Sequence, residues 1–426
     1  MVAIAPILMF PQAAFVWLLL LYPVVIGLQW WAWGEAFPST PLNPAILLMA
    51  IMAGVSIFVT PDLVSSMGKV AGVLLGLLVF STVVRHSHTH DGWNVSLKWF
   101  ALAGAGVAAL GLLGVIRVPS RFVGLNDLIA MLPARLIRLP GAEMGINGNE
   151  LGGALLWVVP LLGMAGLAFL AYPRWFAGQK RKGKVQAGSI ATWLGWLSIT
   201  LVFCGGVLIL SQSRDAYLAL AATLPCLFVV LARGRSRYWV AGLMLAVVVA
   251  GIIVVSHTGT LAVLNQLFES LPAQGAPYSI NSMFGRFEIW KLAVRAIQEN
   301  PLAGLGMNIF RRVSSLLDPN LQNPGFDIAH AHNEALQAAL DLGLPGLVGF
   351  FALYVGAAAM LVKLFQTKGA TRLLAIGLFG GLLAHFLFGL TDTIALGAKP
   401  GFLFWWALAM LCGLYAQNRE SELATS

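Results

Sequence analysis

The sequence predicts an all-α polytopic membrane protein with eleven or twelve transmembrane helices and one long extramembrane loop. Three observations lead there. Of 426 residues, 59% are apolar and only 10% are charged, with a mean hydropathy of +0.83. Apolar runs of about 20 residues recur along the chain, the length a helix needs to cross a hydrocarbon core of about 30 Å. The breaks between runs are short and polar or basic, apart from 117–150 and the far longer 257–343. A backbone in lipid must satisfy its own hydrogen bonds, so such runs are helices.

In chain order the spans fall near 13–32, 44–60, 69–84, 97–116, 151–172, 190–210, 216–232, 239–256, 344–364, 373–390 and 401–417. The stretch 3–33 is long enough to hold two short passes, which would raise eleven to twelve. Orientation follows from basic loops, because Lys and Arg concentrate on the cytoplasmic side. Arg174, Lys180, Arg181, Lys182 and Lys184 form one cluster, Arg233, Arg235 and Arg237 a second, Lys363, Lys368 and Arg372 a third. With these inside, Arg214, the stretch 257–343 and Asp392 face the other side. Much of the +9 formal charge is topological, so it does not imply nucleic acid. No basic region precedes the first apolar run, and a cleavable signal peptide is not expected. Cys204, Cys226 and Cys412 lie inside apolar runs, which argues against a disulfide framework.

The organisation is therefore an N-terminal bundle over 1–256, a long loop over 257–343 and C-terminal helices with a tail over 344–426. Within the first part, residues 117–150 carry Arg117, Arg121, Arg135 and Arg138 and read as an interfacial amphipathic piece broken at Pro133. Loops as long as 257–343 are usually functional. It contains a predicted helix from Arg286 to Glu299, ended by Asn300-Pro301.

The densest polar cluster is His330-Ala331-His332-Asn333-Glu334, followed by Asp341-Leu342-Gly343-Leu344-Pro345-Gly346 and an apolar span. Polar groups so close to a bilayer are costly and point to function. His332 is the candidate catalytic base. His330 could orient or solvate the site, and Asn333 and Glu334 could hold the imidazole or a substrate hydroxyl. A His-x-His pair also occurs in metal sites, but spacing supplies no obvious third ligand, so no metal is assigned. His86, His88 and His90 read as a solvated loop on the cytoplasmic side. Arg214, in Ser211-Gln212-Ser213-Arg214-Asp215, is either a snorkelling arginine paired with Asp215 or an anion clamp, since a guanidinium takes phosphate oxygens bidentately. Arg286 follows Gly285 at a helix start, where the dipole favours anions rather than cations. It forms either a salt bridge to Glu288 or another carboxylate, or an anion contact. Asp392 and Lys399 are secondary candidates on the same side.

No metal-binding Asp-x-Asp pair, phosphate loop or dinucleotide fingerprint appears, so nucleotide chemistry is unsupported and no cofactor is expected. Span interiors are nearly free of charge, while the polar residues gather on one face. That pattern favours an enzyme over a transporter or flippase.

Three separated pieces resemble the bacterial O-antigen ligase family: Ser211–Asp215, Gly285–Ile309 with Asn300-Pro301-Leu302-Ala303-Gly304-Leu305-Gly306, and His330–Gly346. The third is the most specific: His-Asn, nine residues, Gly, two residues, Gly. The resemblance implies twelve spans and an inner-membrane enzyme with its active site facing the periplasm. It would move a polysaccharide from undecaprenyl pyrophosphate to a sugar of lipid A–core. The family's catalytic histidine maps to His332, and its two pyrophosphate-binding arginines map to Arg214 and Arg286. The chemistry is compatible: a sugar pyrophosphate needs charge stabilisation of its leaving group, an acceptor hydroxyl needs a base, and one base with an anion clamp implies a metal-independent inverting displacement. An O-antigen polymerase or a protein O-oligosaccharyltransferase, using the same donor, remains the alternative.

Overall fold

The computed structural model describes residues 21–114, 146–176, 187–257, 283–317 and 328–423, and among them there are helices and no strand. Eleven apolar helices are α1 (Leu21–Trp33), α2 (Asn43–Val59), α3 (Leu63–Ser87), α4 (His90–Gly114), α5 (Gly148–Ala171), α6 (Ala187–Leu210), α7 (Arg214–Leu231), α8 (Ser236–His257), α11 (Glu334–Phe365), α12 (Ala370–Phe388) and α13 (Phe402–Leu423). The loop between α8 and α11 contributes α9 (Met283–Glu299) and α10 (Phe310–Leu317). Among the described residues, eight helices are long and apolar enough to cross a membrane: α3 to α7 and α11 to α13. Each of the eleven expected spans overlaps one of the eleven apolar helices. A twelfth pass within 3–33, and the amphipathic piece expected within 117–150, would need residues outside those described.

From α2 to α12 the spanning helices start earlier than hydropathy alone places them, several of them with polar residues in the first turn. Asp62 caps α3 by accepting from Ser65 N at 3.2 Å, so Lys69 sits in the second turn rather than at the mouth. Likewise α9 starts at Met283, three residues before the predicted Arg286, and ends at Glu299 as Asn300-Pro301 predicts.

The centre of the bundle is α5 against α12, flanked by α7 on α12, α6 on α5, and α13 on α3, with α2 packed on α11. Small residues let backbones approach in a medium where apolar burial alone does not drive helix pairing. A side chain at Gly381 of α12 would run into the backbone of Trp157 on α5.

The ends of the bundle separate the charges. At one end, Arg372 donates to the carbonyls of Phe365 (3.1 Å), Leu231 (3.3 Å) and Val230, and Lys363 donates to Tyr415 (3.3 Å). Two basic clusters expected on the cytoplasmic side thus share one end. The other end gathers the starts of α5, α7 and α11 with the segment after α12.

The glycine-rich pieces of the sequence acquire a reason there. Gly343 interrupts α11 with φ 69° and ψ 179°, breaking it into a short polar helix and a long apolar one. Gly304 also has φ 69°. The two turns interlock: Leu305 N donates to Leu340 O and Leu344 N to Pro301 O, each at 2.7 Å. A Cβ at either glycine would strike the other strand of backbone. Both glycines supply a left-handed conformation and a close approach, which no other residue supplies without strain.

Candidate active site

The histidine loop is held by its own polar neighbours. His332 has φ 48°, a left-handed conformation uncommon outside glycine and often found at functional positions. Asn333 caps α11 by accepting from Leu336 N at 2.9 Å and donates to Leu390 O at 3.0 Å. Glu334 N donates to Gly389 O at 2.7 Å. Gln337 accepts from Ala331 N, between the histidines, and donates to Asp341, both at 2.9 Å. Trp290 of α9 donates to His332 O at 3.3 Å. Three elements thus impose the loop geometry on His332.

This loop meets the segment after α12 at Asp392. Its Oδ1 accepts from His332 Nδ1 at 3.1 Å and from Thr393 N at 2.9 Å; its Oδ2 accepts from Asn149 at 2.7 Å. His330 Nδ1 stands 4.0 Å from the same Oδ1, with its ring 4.3 Å from that of His332. The side chain of Asp392 is 3% exposed, against 13% for His332 and 23% for His330. Burial works to raise the Asp392 carboxyl. The hydrogen bond from His332, with the charges of the two histidines and Arg286, outweighs it and brings the group to about 2. Asp392 is therefore an anion throughout the neutral range. Burial first, and the neighbouring His332 second, push His330 down to about 3. His332 with Nδ1–H donated to a carboxylate keeps Nε2 as the nitrogen able to accept a proton.

Arg286 lies in the first turn of α9 and closes the other side. Its two terminal nitrogens donate to both oxygens of Asp215 at 2.9 and 2.8 Å, and Asp215 also accepts from Thr391 at 2.8 Å. A terminal nitrogen of Arg286 is 3.9 Å from Asp392 Oδ2. Its side chain is 8% exposed and Nε is buried without a partner in the described residues. Asp215 thus meets the arginine predicted as a clamp, 71 residues downstream, whereas Glu288 pairs with Lys291 at 2.7 Å. The misplaced cation at the helix start is compensated by a carboxylate from α7. Arg214 is the first residue of α7, half-buried, beside Asp215.

The other candidates separate by position. Glu334 faces away from the histidines, with Oε2 3.4 Å from His385 Nδ1 in the bundle interior. Asn333 serves as cap and clasp. Lys399 opens a short 3-10 turn (Lys399–Gly401), half-buried. Spacing supplied no third metal-type ligand, but the fold does: the ligand atoms of His330, His332 and Asp392 all lie within 4.8 Å of one another. The donor set suits a divalent ion as well as a proton-transfer pair, and chelation decides between them.

Asn149, Asp215, Thr391, Trp290 and Gln337 are site residues that sequence reasoning did not assign. For Asn149 a signal existed: Asn147-Gly148-Asn149-Glu150 is a polar cluster at the mouth of a span on the same side as Asp392. Asp215 was visible only as a neighbour of Arg214.

Residues 199–351 match a family model described as O-antigen ligase. The match takes in Arg214, Arg286, His330 and His332, whereas Asn149, Asp392 and Lys399 lie outside it. No curated protein matches the chain.

Proposed function

We propose that this multi-pass protein, whose residues 199–351 match the O-antigen ligase family model, transfers a polysaccharide from undecaprenyl pyrophosphate to a sugar hydroxyl of lipid A–core. The reaction takes place at the periplasmic face of a bacterial inner membrane. The observation that carries the reading is the His332–Asp392 pair set beside Arg286 at one end of the bundle. His332 Nε2 takes the proton of the acceptor hydroxyl, whose oxygen bonds to the anomeric carbon. The bond from that carbon to the pyrophosphate oxygen breaks, its electrons stay on the pyrophosphate, and the proton passes from His332 to solvent. One displacement inverts the anomeric centre.

Asp392 fixes the imidazole and stabilises the imidazolium that forms, as a positioning residue. Arg214 and Arg286 hold the pyrophosphate and take up its developing charge, which removes the need for a metal or other cofactor. Arg286 meets Asp215 through two parallel hydrogen bonds, the same fork a phosphate offers. Donor binding thus exchanges one oxyanion partner for another. The site draws on all three segments of the chain: Asn149 and Asp215 from 1–256, the arginine and histidines from 257–343, and Asp392 from 344–426.

The testing experiment incubates the purified protein with an undecaprenyl-pyrophosphate glycan and, separately, lipid A–core, a second lipid-linked glycan and a pilin-like protein. Transfer to lipid A–core alone is the expected result. Transfer to the lipid-linked glycan would make this a polymerase and transfer to protein an O-oligosaccharyltransferase. Movement of the donor across the bilayer without transfer would make it a flippase.

A further inference from the structure

Arg286 approaches Asp392 from the Oδ2 side, while the histidines occupy Oδ1. The reaction described above leaves a second set of charges unused, and one of them, Lys69, reaches His330 with its charge. Lys69 stands in the second turn of α3, half-buried. Its Nζ makes no hydrogen bond or ion pair among the described residues. The 3-10 turn of Lys399 packs on both α3 and α5. Gly397, two residues before Lys399, lies so close to the Lys69 carbonyl that a Cβ there would collide with it. Glu150 is in the first turn of α5, next to Asn149, which holds Asp392. Three elements thus converge, each bringing one charged residue: Lys69, Glu150 and Lys399. The charges of both lysines reach Glu150, and those of Lys69 and Arg311 reach His330.

A carboxylate flanked by ammonium groups matches an acid-bearing sugar, since the carboxylate accepts from hydroxyls and the ammonium takes the acid. Lys69 makes no direct contact with a carboxylate among the described residues, although its charge reaches both Glu150 and Asp341. The pyrophosphate is assigned to the arginine side, so an anion on the histidine side belongs to the other substrate. We propose that Lys69, with Glu150 and Lys399, forms an acceptor subsite that recognises a phosphate substituent on the glycan whose hydroxyl is presented to His332. The proposal rests on the transferase reading for the word acceptor, but the binding site itself does not.

The test uses the full chain in lipid nanodiscs without donor. The probes are lipid A–core, the same molecule dephosphorylated with aqueous hydrogen fluoride, and undecaprenyl pyrophosphate. Wild type is expected to bind the phosphorylated acceptor more tightly than the dephosphorylated one. Lys69→Met should cost roughly tenfold in affinity for the phosphorylated acceptor and leave the dephosphorylated one and the undecaprenyl lipid unchanged. Lys69→Arg should recover most of the loss. Glu150→Gln, through its hydroxyl contacts, should weaken both acceptors alike. Equal loss on both acceptors in Lys69→Met, or no preference in wild type, overturns the subsite. Weaker undecaprenyl pyrophosphate binding in Lys69→Met overturns it too, and moves Lys69 to the donor. Preference that depends on Lys69 in a protein that transfers nothing would support the subsite while removing the ligase reading.

Discussion

Replacing Asp392 by Asn is the sharpest perturbation the site allows, because it keeps size and shape and removes one charge. In the native protein Asp392 accepts from His332 at 3.1 Å, from Thr393 N at 2.9 Å and from Asn149 at 2.7 Å, and Arg286 stands at 3.9 Å. An amide at this position has one oxygen rather than two, so one of these donors loses its acceptor or the imidazole turns its other nitrogen inward. A hydrogen bond to a charged group contributes about 1.5–3 kcal/mol. The imidazolium exists only once the acceptor proton has moved, so this energy is lost from the transition state. It corresponds to a fall in kcat of roughly tenfold to a hundredfold, and an adverse tautomer adds to it. Donor affinity should change little, because Asp392 is not assigned a contact with the pyrophosphate. The assay is transfer to lipid A–core at saturating donor and acceptor, alongside direct binding of undecaprenyl pyrophosphate. An Asp392→Asn enzyme with wild-type kcat would refute the pairing as a catalytic device. A loss confined to donor affinity would reassign Asp392 to the pyrophosphate side.

His332→Ala should abolish transfer in a correctly inserted protein that still binds donor, with His330→Ala doing less harm; full activity in the first variant removes the base, and equal loss in both points to a shared metal. Thorough treatment with EDTA should leave transfer intact, and loss restored by a divalent ion would make His330, His332 and Asp392 a metal centre. Arg286→Ala strands Asp215, and breaking a buried pair costs about 3–5 kcal/mol of stability, so the clamp is read in the double variant Arg286→Ala, Asp215→Ala. That variant and Arg214→Ala should each bind undecaprenyl pyrophosphate roughly tenfold to a hundredfold less tightly; unchanged binding in both would remove the clamp. His330 has a folded pKa of about 3, below the unfolded value of about 6.5, so the unfolded chain binds the extra proton in that window. Stability from the neutral ring should be full above about pH 6.5 and fall as the pH drops toward 3. His330→Asn should flatten that slope in a melting series; an unaltered slope counts against it.

The sequence made the spans legible because lipid imposes one rule on every turn of backbone, and that rule depends on composition. The polar cluster and the apolar span after it were legible in the same way, with Gly343 and Gly346 punctuating the entry, whereas the left-handed turn at Gly343 came from the fold. Partners across long sequence separation were not legible. Nothing in Ser213-Arg214-Asp215 says that the carboxylate, rather than the guanidinium, meets Arg286 from another helix. Nothing in Leu390-Thr391-Asp392-Thr393 says that its aspartate lies under His332. These pairings follow from helix order and from the side of the bilayer on which each end emerges. Charge bias alone puts Arg214, Asp392, Lys399 and the histidine loop on one face, and it reaches no further. The remaining step is distance, and the fold supplies it by closing α5, α7, α11 and the segment after α12 around one carboxylate. That carboxylate, with two histidines on one oxygen and Asn149 and an arginine on the other, draws polar residues at the mouths of several helices into the one cluster proposed above as the reaction centre.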